Sequence, residues 1–455
     1  MKRVAVINVV GLTESHLGEY TPNITALASA SSVTSLCPPL PAVTSTVQSS
    51  MLTGLSPKEH GVVANGWHDR ETHETHFWRQ SNNLVQGEKV WDELRSQNPN
   101  FTVANMFWWF NMYSSADISV TPRPIYCANG RKIPDIWTSP IELRDSLQKK
   151  LGKFPLFNFW GPMANIVSTK WIVDATIEVN NSHQPTLTLV YIPHLDYPLQ
   201  KLGPRHSDIA NELRAVDKEV GRLIDHFQQQ GVHVCVLSEY GIEEVNGAVA
   251  INKVLREHEW IAVREEFGRE YLDAGSSTCF AVPDHQVAHV YVKDKNDIAA
   301  IKNVLQETSG IEFVYSGGER GELAHERCGD IVAVTNHDKW FSHDWWNTCA
   351  KAPDYQSTVD IHRKPGYDPR ELFLADGWRG SKARVALKLL LRKLGSSTLL
   401  DVITTDATKV MGSHGRTPEM GAPSPILIAP ACAKKMPQSL PAAALHTFCI
   451  DWISC

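Results

Sequence analysis

Val4-Ala5-Val6-Ile7-Asn8-Val9-Val10-Gly11 follows the basic start Met1-Lys2-Arg3. The run is dominated by β-branched residues and closed by a glycine, so residues 4–10 read as a buried β-strand. A basic start before an apolar run mimics a secretory leader. The run is short, however, and Gly11-Leu12 follows with no small-residue cleavage pattern, which favours the strand. Thr21-Pro22-Asn23 then opens a helical stretch over 24–30, with threonine as N-cap and proline at the first helical position. The same alternation recurs. Residues 101–106 read as a strand, followed by the cluster Trp108-Trp109-Phe110. Residues 186–191 form a continuous apolar strand that breaks at Pro193. Residues 207–230 have helical periodicity, with Leu213, Val216, Val220, Leu223, Ile224 and Phe227 on one side. Residues 232–237 are another buried-type strand. Strands alternating with helices predict an α/β fold with a mainly parallel sheet covered on both faces. Ligand-binding groups in such sheets collect beyond the carboxyl ends of the strands, here Val10-Gly11, 194–200 and 238–241.

From about residue 281 the texture changes. Residues 289–292, 312–315 and 330–334 read as strands and 296–308 as a helix. A loop-rich stretch of aromatics and histidines then runs from 337 to 368. The expected organisation is a core over 1–280, an inserted cap over 281–400 and a return to the core over 401–455. Residues 381–394 form a basic amphipathic helix. Arg384, Lys388 and Arg392 lie four apart, with Leu387, Leu390, Leu391 and Leu394 on the other side. It reads as a cap helix with a solvated basic face, with membrane-surface attachment as the alternative.

The 455 residues carry 42% hydrophobic and 21% charged residues, which excludes disorder over most of the chain. The formal net charge of −6, from 44 basic and 50 acidic residues, argues against a nucleic-acid partner held by bulk phosphate attraction. No apolar run approaches the ~20 residues of a membrane span. Nine cysteines, an odd number with no Cys-x-x-Cys pair, imply neither a disulfide framework nor a cysteine zinc site and fit a reducing cytoplasm. The oligomeric state is left open.

The most specific chemistry lies in Pro41-Ala42-Val43-Thr44-Ser45-Thr46 and the run from Leu52-Thr53-Gly54 through Pro57, His60-Gly61 and Asn65. A threonine after a proline-bounded loop, at a helix start, presents its hydroxyl where backbone N–H groups favour an anion. Such a hydroxyl needs a base or a metal to become a nucleophile. Other groups could join it. His194 and Asp196 share one face of an extended segment, and Asp360 and His362 have the same spacing. Asp284-His285, His289, His337, Asp338, His343 and Asp344 add to a supply of nineteen histidines. Trp109, with neighbours in 77–82, 108–113 and 121–124, suggests a pocket for a planar or glycosidic group. Arg79 and Arg123 are the expected anion clamps.

The Thr44 loop, the Thr-Gly…Pro…His-Gly…Asn run ending at Asn65, the Asp196 loop, Ser238–Gly241 and Gly412-Ser413-His414-Gly415 together resemble the nucleotide pyrophosphatase/phosphodiesterase branch of the alkaline phosphatase superfamily. The resemblance implies an alkaline-phosphatase-like three-layer sandwich with a mainly parallel sheet and an inserted cap. It implies that Thr44 is the nucleophile and also a metal ligand, that Asn65 contacts a phosphate oxygen, that Asp196 and His414 belong to one metal site, and that Glu239 holds a second metal. The chain departs from the family pattern at several ligand positions. Val10 stands where an aspartate is expected, Gln200 and Tyr240 where histidines are, and Glu239 replaces an aspartate. Of six ligands besides the nucleophile, Asp196 and His414 remain and Glu239 is a carboxylate swap. Zinc sites use about three protein ligands per ion, so the second site is short of ligands, with His362 and Asp360 as candidates to supplement the first. The reading is a metal-assisted hydrolase of a small phosphodiester, pyrophosphate or related ester. Thr44, Asn65 and Glu239 are its catalytic residues, Asn65, Arg79, Trp109 and Arg123 its substrate contacts, and one or two divalent ions, zinc by preference, its cofactor. The alternatives are a silent binding protein that keeps the anion pocket, and an esterase or transferase that uses Thr44 with a protein base.

Overall fold

The computed structural model describes residues 1–454 apart from 129, 130, 397, 434 and 435. At its centre the strand Val4–Val9 is buried along its whole length, as its apolar run requires. It pairs in parallel with Leu187–Ile192 on one side and His233–Leu237 on the other. Outward from Leu187–Ile192 follow Val103–Met106 and Ile118–Pro122, both parallel, and then Ile136–Ser139, antiparallel. On the other side Ile426–Ile428 pairs antiparallel with both His233–Leu237 and Val33–Cys37, and Ser439–Pro441 closes the nine-stranded sheet. The return of the last part of the chain to this sheet makes its first and last parts one packed unit.

Helices cover both faces. Pro22–Ser29, Ile166–His183 and Ile209–Gln229 pack together on one side; Thr44–Thr53, Val90–Gln97 and Leu445–Ser454 form the other layer. Ile209–Gln229 buries Leu213, Val216, Val220, Leu223, Ile224 and Phe227, the side its periodicity predicted. The helices Pro22–Ser29 and Ile209–Gln229 are tied by Asp217, which accepts from the backbone N–H of Ile24 at 2.9 Å and from the Asn23 amide at 2.7 Å. The architecture is the expected α/β three-layer sandwich.

A second, antiparallel sheet runs in the order Cys279–Asp284, Val287–Val292, Ile331–Thr335, Ile311–Ser316. Its first hairpin turns at His285-Gln286, and this tip reaches the core: Gln286 N–H donates to the His414 carbonyl at 2.9 Å. His285 holds a left-handed conformation (φ 59°) there, which a non-glycine residue adopts at some cost. Behind the tip lies a buried ion network. Arg370 makes a bidentate contact with Asp344 at 2.7 and 2.8 Å and a third bond to Asp368 at 2.7 Å, while Lys364 sits 2.9 Å from both Asp368 and Glu371.

The helix Lys382–Lys393 corrects one expectation. Its basic side meets the protein: Arg384 and Lys388 pair with Asp401, and Arg392 donates to the Thr398 carbonyl at 2.7 Å. The leucine side, with Leu387, Leu390, Leu391 and Leu394, is exposed. The Asp401 carboxylate and the carbonyls of the segment after the helix offer better partners to the cations than to leucines, and that decides which side faces inward. Among the described residues no helix is long and apolar enough to cross a membrane.

Candidate active site

Several central strands deliver residues to one place beyond their carboxyl ends. Leu187–Ile192 leads to Asp196, His233–Leu237 to Glu239 and Tyr240, Val103–Met106 to Trp109, and Val33–Cys37 to Thr44. Thr44 is the first residue of the helix Thr44–Thr53 and is 4% exposed. Three contacts fix this helix start. The Ser45 N–H donates to Asn65 Oδ1 at 3.0 Å, and Asn65 in turn donates its backbone N–H (2.7 Å) and its amide (3.2 Å) to Asp284. His414 Nδ1 donates to the Ala42 carbonyl at 2.8 Å, which leaves Nε2 as the unprotonated nitrogen.

Tyr240 is the hub. Its hydroxyl lies 3.2 Å from Thr44 Oγ1 and donates to Asp196 Oδ1 at 3.3 Å. Since the phenol has one proton and gives it to Asp196, Thr44 is the donor to Tyr240. Asp196 Oδ2 accepts from Gln200 Nε2 at 2.8 Å, and Gln200 Oε1 accepts from the Tyr367 hydroxyl at 3.0 Å. The Tyr240 ring stacks on His414 at 3.6 Å and 7°, and His285 lies 3.6 Å from His414 and 3.7 Å from Tyr367. On the sheet side Glu239 Oε1 accepts from Asn8 Nδ2 (2.6 Å) and Gln48 Nε2 (2.7 Å), and Gln48 Oε1 accepts from the Trp109 N–H at 2.6 Å.

Burial dominates the electrostatics. It pushes Asp196 up to about 7 against the hydrogen bonds from Gln200 and Tyr240. It pushes Glu239 to about 7 against those from Gln48 and Asn8, and Asp284 to about 7 against those from Asn65. Burial also holds the His414 imidazole down to about 3 and His285 well below its ordinary value. The centre is therefore a hydrogen-bonded set around one hydroxyl in which the imidazoles are neutral and the three carboxyls hold their protons up to near-neutral pH.

This set does not fit the two-ion centre that the resemblance implies. Among the described residues no group of three or more His, Cys, Asp and Glu side chains could hold a metal ion. At the Asp196 position, the third place is filled by an amide whose two ends are already bonded to Asp196 and Tyr367. His414 Nε2 is 3.8 Å from Asp196 Oδ1, and the Tyr240 ring lies flat against the imidazole. At the Glu239 position one carboxylate oxygen is taken by two amides, and Val10 has no donor atom in its side chain. Gln200 and Tyr240, at two of the substituted positions, give Asp196 N–H and O–H donors instead, while Glu239 takes its donors from Asn8 and Gln48 on Oε1 alone.

Several expected residues stand elsewhere. His362 donates Nδ1 to the Phe77 carbonyl at 3.1 Å and meets the Tyr126 hydroxyl at 2.9 Å. Asp360 lies 3.6 Å from Lys132 and 3.7 Å from Arg363, so it is an ion-pair partner. Arg79 is exposed and bonded to His76 at 2.7 Å, and Arg123 is exposed with its guanidinium 5.8 Å from the Tyr126 ring. His194 pairs with Glu212 at 2.7 Å, His289 meets the Val63 carbonyl at 3.1 Å, and His343 meets Gln356 at 2.9 Å. His362 still lines the cavity above Thr44; Arg79, Arg123, Asp360 and Asn65 do not.

That cavity encloses about 140 Å³. Its floor carries the Thr44 hydroxyl, Asp196, His285 and the phenols of Tyr191, Tyr197, Tyr240 and Tyr367; its walls include Trp78, Trp109, Trp160 and Phe159. Trp109 is among these lining residues. Trp160 is an addition that the sequence did not single out, and it is held by its N–H donated to Glu371 Oε2 at 2.6 Å. Two further residues carry a readable signal. Asn8 is the polar exception within an apolar strand, and Gln48 lies four residues after Thr44, on the same side of its helix. Apart from Tyr240, which stands at an expected ligand position, the tyrosines carry none, because they come from separate segments of the chain.

Comparison with known proteins agrees with this fold. Residues 4–368 match the type I phosphodiesterase / nucleotide pyrophosphatase family. An uncharacterised pyrophosphatase/phosphodiesterase of Schizosaccharomyces pombe is 24% identical over 257 residues, 52% of this chain and 44% of that protein. The match thus spans less than half the length of this curated relative. Murine ectonucleotide pyrophosphatase / phosphodiesterase 5, solved as an inactive threonine-to-alanine variant in complex with AMP, superposes with a TM-score of 0.62 at 14% identity, covering 100% of this chain and 95% of that one. Phosphonoacetate hydrolase from Sinorhizobium meliloti 1021, in complex with phosphonoformate, gives 0.61 at 12% identity over 99% and 96% of the two chains. The fold, the position of Thr44 at its helix start and the family match over most of the length lead to one conclusion: this chain belongs to the type I phosphodiesterase / nucleotide pyrophosphatase family.

Proposed function

We propose that this protein is a hydrolase of a phosphodiester or related ester, with Thr44 as the nucleophile and the aromatic cavity as the substrate site. The observation that carries the reading is the run of hydrogen bonds from Thr44 Oγ1 through the Tyr240 hydroxyl to Asp196 at the cavity floor. On attack, Thr44 Oγ1 bonds to the electrophilic phosphorus or carbon. Its proton passes to the Tyr240 oxygen as the phenol's own proton passes to Asp196, and the leaving alkoxide or aryloxide departs. Water then attacks the threonine ester, passing one proton to the departed alkoxide or aryloxide, while Asp196 returns its proton through Tyr240 to the leaving Thr44 oxygen. With Asp196 near 7, both forms of the base are present at neutral pH. Glu239 and Asn65 act as positioning residues: one anchors Gln48 and through it Trp109, the other the helix start. The metal assistance implied by the resemblance has no part in these steps, since the donor set does not fit it. The inactivity of the murine neighbour as a threonine-to-alanine variant supports a threonine nucleophile, and its AMP supports a phosphorylated ligand.

The test is turnover of an aryl phosphodiester by the wild-type protein and by Thr44→Ala. Loss of at least ~10³-fold with ligand binding retained is expected; wild-type-like turnover by Thr44→Ala removes the nucleophile from the scheme. One observation favours a second reading, a silent binding protein: Asp196 takes its hydrogen bonds from the Gln200 amide and the Tyr240 phenol, with no ion needed there. Ligand binding by the wild-type protein with no turnover selects it. The domain division at 281 and 401 and a cytoplasmic location complete the proposal, the latter supported by the free thiols of Cys37, Cys127, Cys235, Cys279, Cys328, Cys349 and Cys449.

A further inference from the structure

We infer that the helix Lys382–Lys393, with Trp378 beside it, is a docking surface for a lipid bilayer that carries anionic headgroups. The inference is independent of the part played by Thr44. It starts from the side of the helix that the fold leaves uncovered. Among the described residues, eight of the twenty large apolar side chains that are exposed fall within 374–399. Leu387, Leu389, Leu390, Leu391 and Leu394 lie along the helix or at its end, Leu394 at 74% exposure, and Trp378 in the turn before it is 67% exposed. Exposed apolar residues are ordinarily scattered singly; a contiguous row marks an interaction surface. The row cannot turn inward. Arg384 and Lys388 hold the other side of the helix to Asp401. The segments on either side of the helix are themselves fixed: the Ala375 N–H donates to the Val402 carbonyl at 2.8 Å and the Ile403 N–H to the Ser357 carbonyl at 2.9 Å.

Charge selects the occupant. Residues 378–404 hold six basic residues and one acidic residue, Asp401, in a chain whose net charge is −6. The helix itself contains no acidic residue. Lys382 and Lys393 are exposed, and their spacing of three helical turns puts them together along one edge of the leucine row. Arg384 and Lys388 run along its other edge. Basic residues thus border the leucines on both sides. At a bilayer surface the leucines enter the acyl boundary, the lysine stems follow them, and the ammonium groups stay at the level of the phosphates. Trp378 suits the same interface, where an indole is half in apolar surroundings. Anionic lipid supplies the counter-charge that this segment lacks in its own chain. A second copy of the chain is the poorer occupant. One face of a twelve-residue helix, ~18 Å long, is smaller than the ~800 Å² per partner that a stable dimer buries. Pairing two such faces would also set Lys382 and Lys393 of one chain against those of the other, with no acidic residue in either helix to meet them.

The experiment is co-sedimentation of the full chain with vesicles of phosphatidylcholine alone and of phosphatidylcholine with about 30% phosphatidylserine. Binding to the anionic vesicles at least ~10-fold stronger than to the neutral ones, and weakened by salt, is expected. Leu390→Gln with Leu394→Gln should lower binding to the anionic vesicles by at least ~10-fold. Lys382→Glu with Lys393→Glu should remove about tenfold on the anionic vesicles and little on the neutral ones. All four side chains are exposed, so an unchanged thermal unfolding transition is the control for an intact fold. No binding of the wild type to either vesicle, equal binding to both, or wild-type binding by the leucine pair variant overturns the inference. So does self-association of the wild type in analytical ultracentrifugation that the leucine pair abolishes, which would give the face to a second copy. None of these measurements reads turnover, so their result stands apart from the fate of the Thr44 scheme.

Discussion

Replacing Tyr240 by phenylalanine removes one oxygen from the centre and little else. The ring keeps its place, because the 3.6 Å stack on His414 does not depend on the hydroxyl. The hydroxyl's two hydrogen bonds, 3.2 Å to Thr44 and 3.3 Å to Asp196, are long, and at about 0.5–1.5 kcal/mol each their removal puts the stability cost at roughly 1–2 kcal/mol. The catalytic cost is of another size. Without the phenol, the Thr44 proton has no path to Asp196. Loss of positioned acid–base transfer lowers kcat by about 10²–10⁴-fold, equivalent to about 3–5 kcal/mol of barrier. Asp196→Asn keeps the shape and removes the acceptor, so it should cost a similar factor. A relay also predicts how the two combine: the double variant should be little worse than the poorer single one, since both cut one path. The assay is kcat for an aryl phosphodiester in all four proteins, with calorimetric affinity as the control for an intact cavity. A Tyr240→Phe protein with kcat within about twofold of wild type, or costs that multiply in the double variant, would refute the relay.

Three other outcomes follow from the same geometry. The Glu239 carboxyl, pushed up to about 7 by burial, holds its proton longer in the fold than in the unfolded chain; its contribution is present at low pH and lost as pH rises through 7. Glu239→Gln should therefore gain on the wild type by about 3 kcal/mol between roughly pH 5 and 8 in denaturant titrations, and a pH-independent difference would contradict the assignment. Gln200→His places an imidazole beside Asp196 and His414, making three ligands, and should raise the zinc content by about one ion per chain over the wild type, read by elemental analysis after dialysis; no gain would count against the ligand geometry. Arg370→Met strands Asp344 and part of Asp368 in the interior and should cost about 3–5 kcal/mol in chemical denaturation; a cost under about 1 kcal/mol would mean water reaches the pair.

The α/β sandwich is legible in the sequence because it rests on local pattern. The apolar run of Val4–Val9, the Thr-Pro start of Pro22–Ser29 and the one-sided periodicity of Ile209–Gln229 each specify an element from neighbouring residues alone. Thr44, Asp196, Glu239 and His414 are marked by motif, and the fold brings them to one site because the carboxyl ends of parallel strands converge. The sequence also shows that Val10, Gln200 and Tyr240 differ from the expected ligands. It does not show what those residues do instead. That Tyr240 bridges Thr44 to Asp196, that Gln200 joins the same carboxyl to Tyr367, and that Arg79 and Arg123 lie outside the cavity depend on distances between segments far apart in the chain. The same holds for the helix Lys382–Lys393, whose pattern has two faces but whose inward face is chosen by Asp401. Secondary structure answers to periodicity, which a chain carries locally; partners of a buried polar group answer to three-dimensional proximity, which only the packed fold sets.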